Sequence, residues 1–571
     1  MPQKPIIFTS WRDLPLMTAS LGDMTVNKTG SWRNVEPHHV EQIPPCSHNC
    51  PAGNDVVMFV TLAAEKRYEE AWRVLAATTP FPGSCGRVCP HPCEYECNRA
   101  EFGGRINIHT IERFIGDIYR ANPPAMPKQP STGKRVAVVG SGPAGLSCAY
   151  QLALAGHAVT VYEAHSKPGG MMRVGIPDYR LPPEVLDGEI ARIAGLGVEI
   201  VTNTRIGRDI RFDELVEKND AVFVGVGFTK SKPLGAQGEN GDGVLPGVEV
   251  LRRINLGEAN GVGEQPLVVG GGNTAMDVAR SLLRQGKQVS VMYRRTRAEM
   301  PAIAEEIDEL LAEGIEITFL ATPIEVLHDG NGRLNGVKCL RMQLGKPDAS
   351  GRRRPEPVAG SEFTVKADCV VTAIGEDADL SFLPDAIKAK TSWNIPADEL
   401  GRTFEPKLYA GGDAADGAGT VTAAIGYGRK AAYAIDAYIL GKVLPDNTGT
   451  SPSLRDRTPH LVRYEELNRA YFSSDPRREP PHRQAAERVD DFDEVRQGFA
   501  EEELIAEARR CFSCGTCPAC DNCYVFCPDA AIKPVAGDPF KLYIVNYDYC
   551  KGCGICAAEC PRGCIVMKGV R

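Results

Sequence analysis

From Lys134 onward the chain alternates short β-branched apolar runs with Gly-rich turns and longer stretches of helical hydrophobic period. The runs Val136-Ala-Val-Val, Ala158-Val-Thr-Val-Tyr, Pro266-Leu-Val-Val and Gln288-Val-Ser-Val-Met-Tyr predict buried strands, and the strand–turn–helix texture continues to about Gly441. Upstream, residues 56–75 and 106–119 carry helical patterns between cysteine-rich turns. Pro123, Pro124, Pro127 and Pro130 mark a linker, because repeated proline disfavours helix. Residues 446–505 are charged and Pro-rich and predict a surface connector, followed by a helix over residues 501–510. The last sixty residues combine dense cysteine with short strand-like pieces such as Tyr543-Ile-Val545. No solenoid period is present.

At 571 residues, and about 150 per domain, three or four domains are expected. Hydrophobic residues at 43% and charged residues at 24% exclude a disordered or fibrous chain. A formal charge of −8 without a long Lys/Arg block argues against a nucleic-acid surface. No stretch approaches the roughly 18 apolar residues of a membrane span. The opening MPQKPIIFTSWRDLP lacks the apolar core of a secretion signal, so a cytoplasmic protein is expected. Cysteine changes the picture most. Of 20 cysteines, six lie between Cys46 and Cys97 and eleven between Cys511 and Cys564. In a large chain without a secretion signal, that crowding points to metal clusters rather than disulfides.

Two turns carry nucleotide chemistry. In Gly140-Ser-Gly142-Pro143-Ala144-Gly145 a G-x-G-x-x-G follows one strand, and a second strand ends at Glu163. The glycines permit a tight turn and close approach of a pyrophosphate to the helix N-terminus, and the acid suits a ribose hydroxyl pair. The second turn is Gly270-Gly-Gly272-Asn273-Thr274-Ala275. Its following strand ends in Arg294-Arg295 instead of an acid, which favours a 2′-phosphate and so NADP(H) over NAD(H); solvated arginines are the competing reading. Two such folds in one chain suggest a flavin and a pyridine nucleotide. Leu408-Tyr-Ala-Gly-Gly412-Asp413, followed by Thr420, resembles the closing motif of flavoproteins with two dinucleotide-binding domains, in which the Asp contacts the FAD ribitol. Lys167-Pro-Gly-Gly170-Met171-Met resembles the loop beside the isoalloxazine in that superfamily. Its disulfide reductases carry a redox C-x2-C between the nucleotide motifs; none is present here, so disulfide reduction is disfavoured.

Cys517-x2-Cys520-x2-Cys523-x3-Cys527-Pro and Cys550-x2-Cys553-x2-Cys556-x3-Cys560-Pro repeat the bacterial ferredoxin run. In such pairs three cysteines hold one 4Fe–4S cluster and the fourth crosses over, which groups Cys517, Cys520, Cys523 and Cys560, and separately Cys550, Cys553, Cys556 and Cys527. C-x2-C also binds zinc, but the doubled eight-cysteine pattern favours iron–sulfur.

The N-terminal group is Cys46-x3-Cys50-Pro, then Cys85-Gly-Arg-Val-Cys89-Pro-His-Pro-Cys93-x3-Cys97. With the flavoprotein core it resembles the glutamate synthase small-subunit family, which includes the N-terminal half of dihydropyrimidine dehydrogenase, over roughly residues 46–441. That resemblance implies one cluster on Cys50, Cys89, Cys93 and Glu112, the Glu taking a position where the family has Gln or Glu. The family's other cluster needs a C-x2-C upstream of the residue matching Cys46, and no cysteine precedes Cys46. Glu507-Ala-Arg-Arg-Cys511-Phe-Ser-Cys514 resembles the missing piece displaced to the other end of the chain, so Cys46, Cys97, Cys511 and Cys514 are the candidate ligands of a fourth cluster that would tie the C-terminal domain to the N-terminal one. Asn27-Lys-Thr-Gly30-Ser-Trp32-Arg33, with Cys523–Cys527 and Val545-Asn-Tyr-Asp-Tyr-Cys550, resembles the delta (ferredoxin) subunit of 2-oxoacid:ferredoxin oxidoreductases.

The expected fold is a multidomain α/β chain. Its parts are an N-terminal extension (1–45), a helical iron–sulfur domain (46–130), an FAD domain of Rossmann type (131–260 and 366–445), an NAD(P) domain of the same type (261–365), a connector (446–510) and a ferredoxin-like α+β domain (511–571). The expected function is electron exchange between NAD(P)(H), FAD and three or four 4Fe–4S clusters in one subunit of a 2-oxoacid:acceptor oxidoreductase. Its partners would be thiamine-diphosphate-dependent subunits or free ferredoxin, with the organic chemistry in another subunit. The alternatives are an NADPH-oxidising glutamate synthase small subunit and a non-catalytic assembly module.

Overall fold

The computed structural model describes residues 9–10, 12, 28–349, 351–415, 417, 419–444, 451–454, 457–535 and 542–570. Asn27 and most of the N-terminal extension lie outside the described residues. The chain divides into two units, Pro45–Asp456 with Ser474–Cys511, and Met1–Pro44 with Arg457–Ser473 and Phe512–Arg571.

In the larger unit a five-stranded sheet runs in the order Leu408–Ala410, Ala221–Val224, Arg135–Val139, Ala158–Tyr162, Glu199–Val201. All its neighbours are parallel. Its central strands read as continuous apolar runs because both faces are covered. Val136, Val138 and Phe223 pack under the helices Pro143–Leu154 and Val421–Leu440, while Ala137, Val139 and Val222 pack on Phe212, Leu215 and Leu383.

A second parallel sheet has the order Glu316–Phe319, Ser290–Tyr293, Pro266–Val269, Cys369–Thr372, Val244–Pro246. Helices Gly247–Asn255, Asn273–Arg284 and Ala304–Ala312 cover one face, and the antiparallel sheet of Ala321–His328, Leu334–Pro347 and Arg353–Val365 covers the other. This corrects the expected boundary at residues 260 and 366. Val244–Pro246 and Cys369–Thr372 are hydrogen-bonded into the second sheet, so the crossover is the antiparallel ribbon Lys230–Ser231/Glu376–Asp377.

The helical region packs Val56–Ala64, Tyr68–Ala76 and Ile108–Ile118 around Phe59, Trp72, Leu75 and Ile111. The pattern over residues 56–75 is two helices, broken where Lys66 takes φ +61°. Gly86 and Gly116 let Pro82–Val88 and Ile108–Ile118 touch backbone to backbone. A Cβ at Gly86 would sit 2.4 Å from the Arg113 nitrogen, and one at Gly116 would sit 2.4 Å from the Gly83 nitrogen.

The expected connector is not a separate element. Residues 474–511 belong to the larger unit, where buried Glu507 accepts from the Asn107 and Arg478 amides (2.9 and 3.0 Å) and Arg510 donates to the Gly103 and Gly104 carbonyls (2.7 and 2.6 Å). Residues 457–473 belong to the smaller unit.

In the smaller unit Val35–His39 pairs antiparallel with Ile565–Gly569, Ile532–Pro534 antiparallel with Tyr543–Val545, and Gln42–Ile43 parallel with Thr458–Leu461. The short helices Asn522–Val525 and Ile555–Ala558 complete it. The turn Thr29–Trp32 is seated on residues 547–549: the Gly30 amide donates to the Asp548 carbonyl at 2.8 Å, Thr29 donates to the Tyr549 carbonyl, and a Cβ at Gly30 would lie 2.1 Å from the Tyr547 oxygen. No helix among the described residues is long and apolar enough to cross a membrane.

Candidate redox sites

The two glycine turns are built alike. Gly140 (φ +98°) and Gly270 (φ +155°) each press on a neighbouring strand end, where a Cβ would lie 2.6 Å from the Gly225 oxygen and 2.1 Å from the Ala373 oxygen. Gly142 and Gly272 cap the twelve-residue helices Pro143–Leu154 and Asn273–Arg284 in extended conformation. A Cβ on Gly142 would have no atom nearer than 3.9 Å, and one on Gly272 none within 4 Å. Open space directly over a helix N-terminus fits a pyrophosphate at both turns.

Around the first turn, buried Glu163 accepts from the Ser141 and His165 amides (3.1 and 2.8 Å) and from the Ser141 hydroxyl, so it fixes the loop; the remaining lone pairs of its carboxylate suit ribose hydroxyls. Gly170 (φ +54°) would drive a Cβ to 2.5 Å from the Gly142 Cα, so the Gly170-Met171 loop closes on the same turn. Gly412 (φ +69°) abuts Ala144, and the Asp413 carboxylate accepts from the Gly419 amide at 2.9 Å. Thr420 caps Val421–Leu440 by accepting from the Ala423 amide.

At the second turn, Asn273 accepts from the Ile303 amide at 2.9 Å, and Thr274 and Ala275 follow within the helix. The expected arginine pair divides. Arg294 is exposed and makes no ion pair among the described residues. Arg295 is buried, donating to the Arg353 carbonyl and to Asp348, each at 2.8 Å. Arg295 is thus occupied inside the fold, a correction to its expected place beside the nucleotide. Arg180, from the loop after Gly170, bonds Asp277 (2.8 Å) and Glu306 (3.2 Å). Beside them, fully buried Arg280 is ringed by Glu306, Glu309 and Glu313, and Arg284 pairs with Glu313 at 2.9 Å.

Cys50, Cys89, Cys93, Glu112, His91 and Thr422, among others, line one small pocket. Burial pushes the thiols of Cys50 and Cys89 up to about 11 and about 12. Burial, then Glu189, pushes the Glu112 carboxyl up to about 8, while the Asn54 amide donates to it at 3.3 Å. Three sulfurs and a carboxylate lining one pocket form a donor set that suits a cluster of net positive metal charge. Thr422 lies two residues past Thr420, so the N-terminus of a single helix serves both the flavin motif and this pocket. Gly426 on that helix is pressed to the cysteine loop, where a Cβ would be 2.1 Å from the Pro51 oxygen, and Gly428 to the flavin turn, 2.0 Å from the Ala144 oxygen.

Cys46, Cys97 and Cys511 pack against one hydrophobic cluster of the larger unit, with Cys97 and Cys511 close enough for their charges to interact; Cys514 belongs to the smaller unit. In the smaller unit, Cys523 lies within electrostatic reach of Cys517, Cys520 and Cys560, Cys556 within reach of Cys527, Cys550 and Cys553, and Cys523 also within reach of Cys556. Cys520 and Cys553 are exposed. The halves share a detail: the Ala531 amide donates to Cys527 Sγ at 3.3 Å and the Cys564 amide to Cys560 Sγ at 3.2 Å. Sequence reasoning missed Thr422, Asn54 and Cys564. Only Cys564 had a signal, standing at the same offset from Cys560 as Ala531 does from Cys527.

Comparison with known proteins agrees with these parts. Residues 134–428 match the pyridine nucleotide-disulphide oxidoreductase family, residues 41–123 match dihydropyrimidine dehydrogenase domain II with its 4Fe-4S cluster, and residues 543–566 match the 4Fe-4S binding domain. The chain is 40% identical over 509 residues to the NADPH-Fe(3+) oxidoreductase subunit beta of Geobacter sulfurreducens, covering 82% of this chain and 75% of that one. It is 41% identical over 503 residues to the NADP(+)-dependent formate dehydrogenase subunit beta of Moorella thermoacetica (82% and 70%). It is 37% identical over 417 residues to the glutamate synthase [NADPH] small chain of Escherichia coli (68% and 87%). The chain therefore belongs to the pyridine nucleotide-disulphide oxidoreductase family, as an FAD-, pyridine-nucleotide- and 4Fe–4S-dependent oxidoreductase of the glutamate synthase small-subunit kind.

Proposed function

We propose that this chain is the NADP(H)-linked electron-transfer subunit of a multi-subunit oxidoreductase whose organic substrate is turned over in a thiamine-diphosphate-dependent 2-oxoacid oxidoreductase partner. When bound, the pyridine nucleotide supplies or takes a hydride, the flavin converts between two-electron and one-electron transfer, and the clusters carry single electrons. The chain's own residues bind and orient. The amides at the starts of Pro143–Leu154 and Asn273–Arg284 hold the two pyrophosphates, Glu163 and Asp413 hold the flavin's hydroxyls, and Arg294 meets a 2′-phosphate. Cys50, Cys89, Cys93 and Glu112 would hold one cluster, and the eight ferredoxin-type cysteines would hold two more.

The observation that carries the partner assignment is the folding of both chain ends into one unit. Thr29–Trp32 seats on residues 547–549, as suits a delta-like ferredoxin interrupted by a flavoprotein. The 41% identity to a formate dehydrogenase beta subunit favours a second reading, in which the same chain serves a formate-oxidising partner. Anaerobic purification of the tagged chain from its host, with mass-spectrometric identification of what accompanies it, tests both. Thiamine-diphosphate-binding subunits, together with 2-oxoacid- and CoA-dependent NADP⁺ reduction, are expected. A formate-oxidising or glutaminase-type partner overturns the 2-oxoacid assignment.

A further inference from the structure

Val35–His39 brings an imidazole to the ferredoxin-type cysteines of the smaller unit. His39 lies opposite Ile565 in the antiparallel pair, and the next amide, Val40, donates to the Cys564 carbonyl at 2.9 Å. With the strand end so fixed, His39 Nε2 lies 3.3 Å from Cys517 Sγ. The ring rests on buried Tyr543, centroids 5.4 Å apart, and the Tyr543 hydroxyl is itself tied to Asp521 at 2.8 Å. The imidazole is therefore oriented from both sides.

A cysteine sulfur bonded to iron has no proton to give, so at this distance the only donor is Nε2–H. A hydrogen bond to such a sulfur stabilises negative charge on the cluster, and does so more strongly in the reduced state, which holds one more electron. We propose that His39 is a positioning residue acting through the Cys517 sulfur: it donates Nε2–H there and raises the reduction potential of the cluster held by Cys517, Cys520, Cys523 and Cys560. The proposal rests on the assignment of those four cysteines to one cluster. The sister half is built differently. Cys550, which takes the place of Cys517 in the repeated run, has the charge of Arg33 nearby, and Ala531 takes the place of Cys564. The two clusters are thus inequivalent, with the His39 contribution confined to one.

Redox titration of the anaerobic full-length chain, followed by electron paramagnetic resonance, resolves the clusters separately. His39→Leu should leave iron per chain unchanged and lower one midpoint only. The reduced-to-oxidised ratio at fixed ambient potential should fall roughly tenfold, which is 59 mV for a one-electron couple. His39→Gln, which returns an N–H donor, should recover most of the shift. His38→Leu, whose ring contacts Glu36 at 3.1 Å instead, should move nothing. Unchanged midpoints in His39→Leu at full iron content overturn the proposal; should that variant lose iron, His39→Asn, too short to reach the sulfur, is judged by the same criterion. Cys517→Ala tests the underlying assignment on its own, because full iron retention there removes Cys517 from the ligand set whatever His39 does.

Discussion

Gly272→Ala separates nucleotide binding from folding. Gly272 has φ −93° and ψ 178°, a conformation alanine adopts freely, and an added Cβ meets no protein atom within 4 Å. The folded state therefore loses nothing, and the lower entropy of the unfolded chain adds about 0.4–1 kcal/mol of stability. The same methyl enters the space over the helix N-terminus. Pushing a phosphate away from one backbone N–H forfeits a hydrogen bond to a charged group, worth about 1.5–3 kcal/mol. At about 1.4 kcal/mol per decade that is a ten- to hundredfold rise in KM for NADPH. The assay is NADPH-dependent viologen reduction by the purified chain, with flavin and iron content and thermal melting measured in parallel. Flavin and iron should match the parent, Tm should hold or rise, and only KM should move. Gly270→Ala is the counterpart: its φ of +155° and the 2.1 Å approach to the Ala373 oxygen predict a lower Tm. An unchanged KM in a fully folded Gly272→Ala would refute the close-approach reasoning.

Arg294→Ala should raise KM for NADPH much more than for NADH, whereas Arg295→Ala should lower Tm by breaking its bonds to Asp348 and Arg353 without altering nucleotide preference; steady-state kinetics with both nucleotides checks this. Glu112→Ala should lose about four iron atoms per chain while retaining flavin, and, on the sequence's expectation of a fourth cluster held by Cys46, Cys97, Cys511 and Cys514, Cys511→Ala should lose a further, separate set; iron analysis and flavin absorbance read both. Burial alone would raise the Glu313 carboxyl, but Arg284 and Arg280 hold it at about 2. Its contribution is therefore present above about pH 4.5 and is lost as pH falls toward 2, on the order of 3 kcal/mol in all. Denaturant titrations between pH 6 and 3 should show stability falling, and Glu313→Gln should flatten that dependence.

Much of the chemistry could be read from residue spacing, because it is local. A glycine turn between an apolar run and a helix, or cysteines two and three residues apart, determines its own geometry. What needed the structure was direction and distance. Arg294 and Arg295 are adjacent, and neighbouring residues at a strand end point to opposite faces, so one is exposed and the other is spent on Asp348. The strand Val244–Pro246 has two half-buried residues, an exposed proline and no hydrophobic period, which hid the true crossover between the nucleotide domains. Residues 474–511 join the larger unit partly through arginine and backbone contacts, such as those of Arg510, that leave no apolar pattern. Lys66 breaks a helix without glycine or proline to announce it.

The seating of Thr29 on the Tyr549 carbonyl joins residues 520 positions apart. During synthesis at about 5–20 residues per second, the beginning of this unit waits roughly half a minute to two minutes for its other half. Throughout that interval, in which the nucleotide-binding domains are made, Val35–His39 is a strand without its neighbour. The ferredoxin part therefore cannot complete its pairing until residues 549–569 have been made. Changes at Thr29 or in Val35–His39 therefore act on residues 549–569, among the ferredoxin-type cysteines.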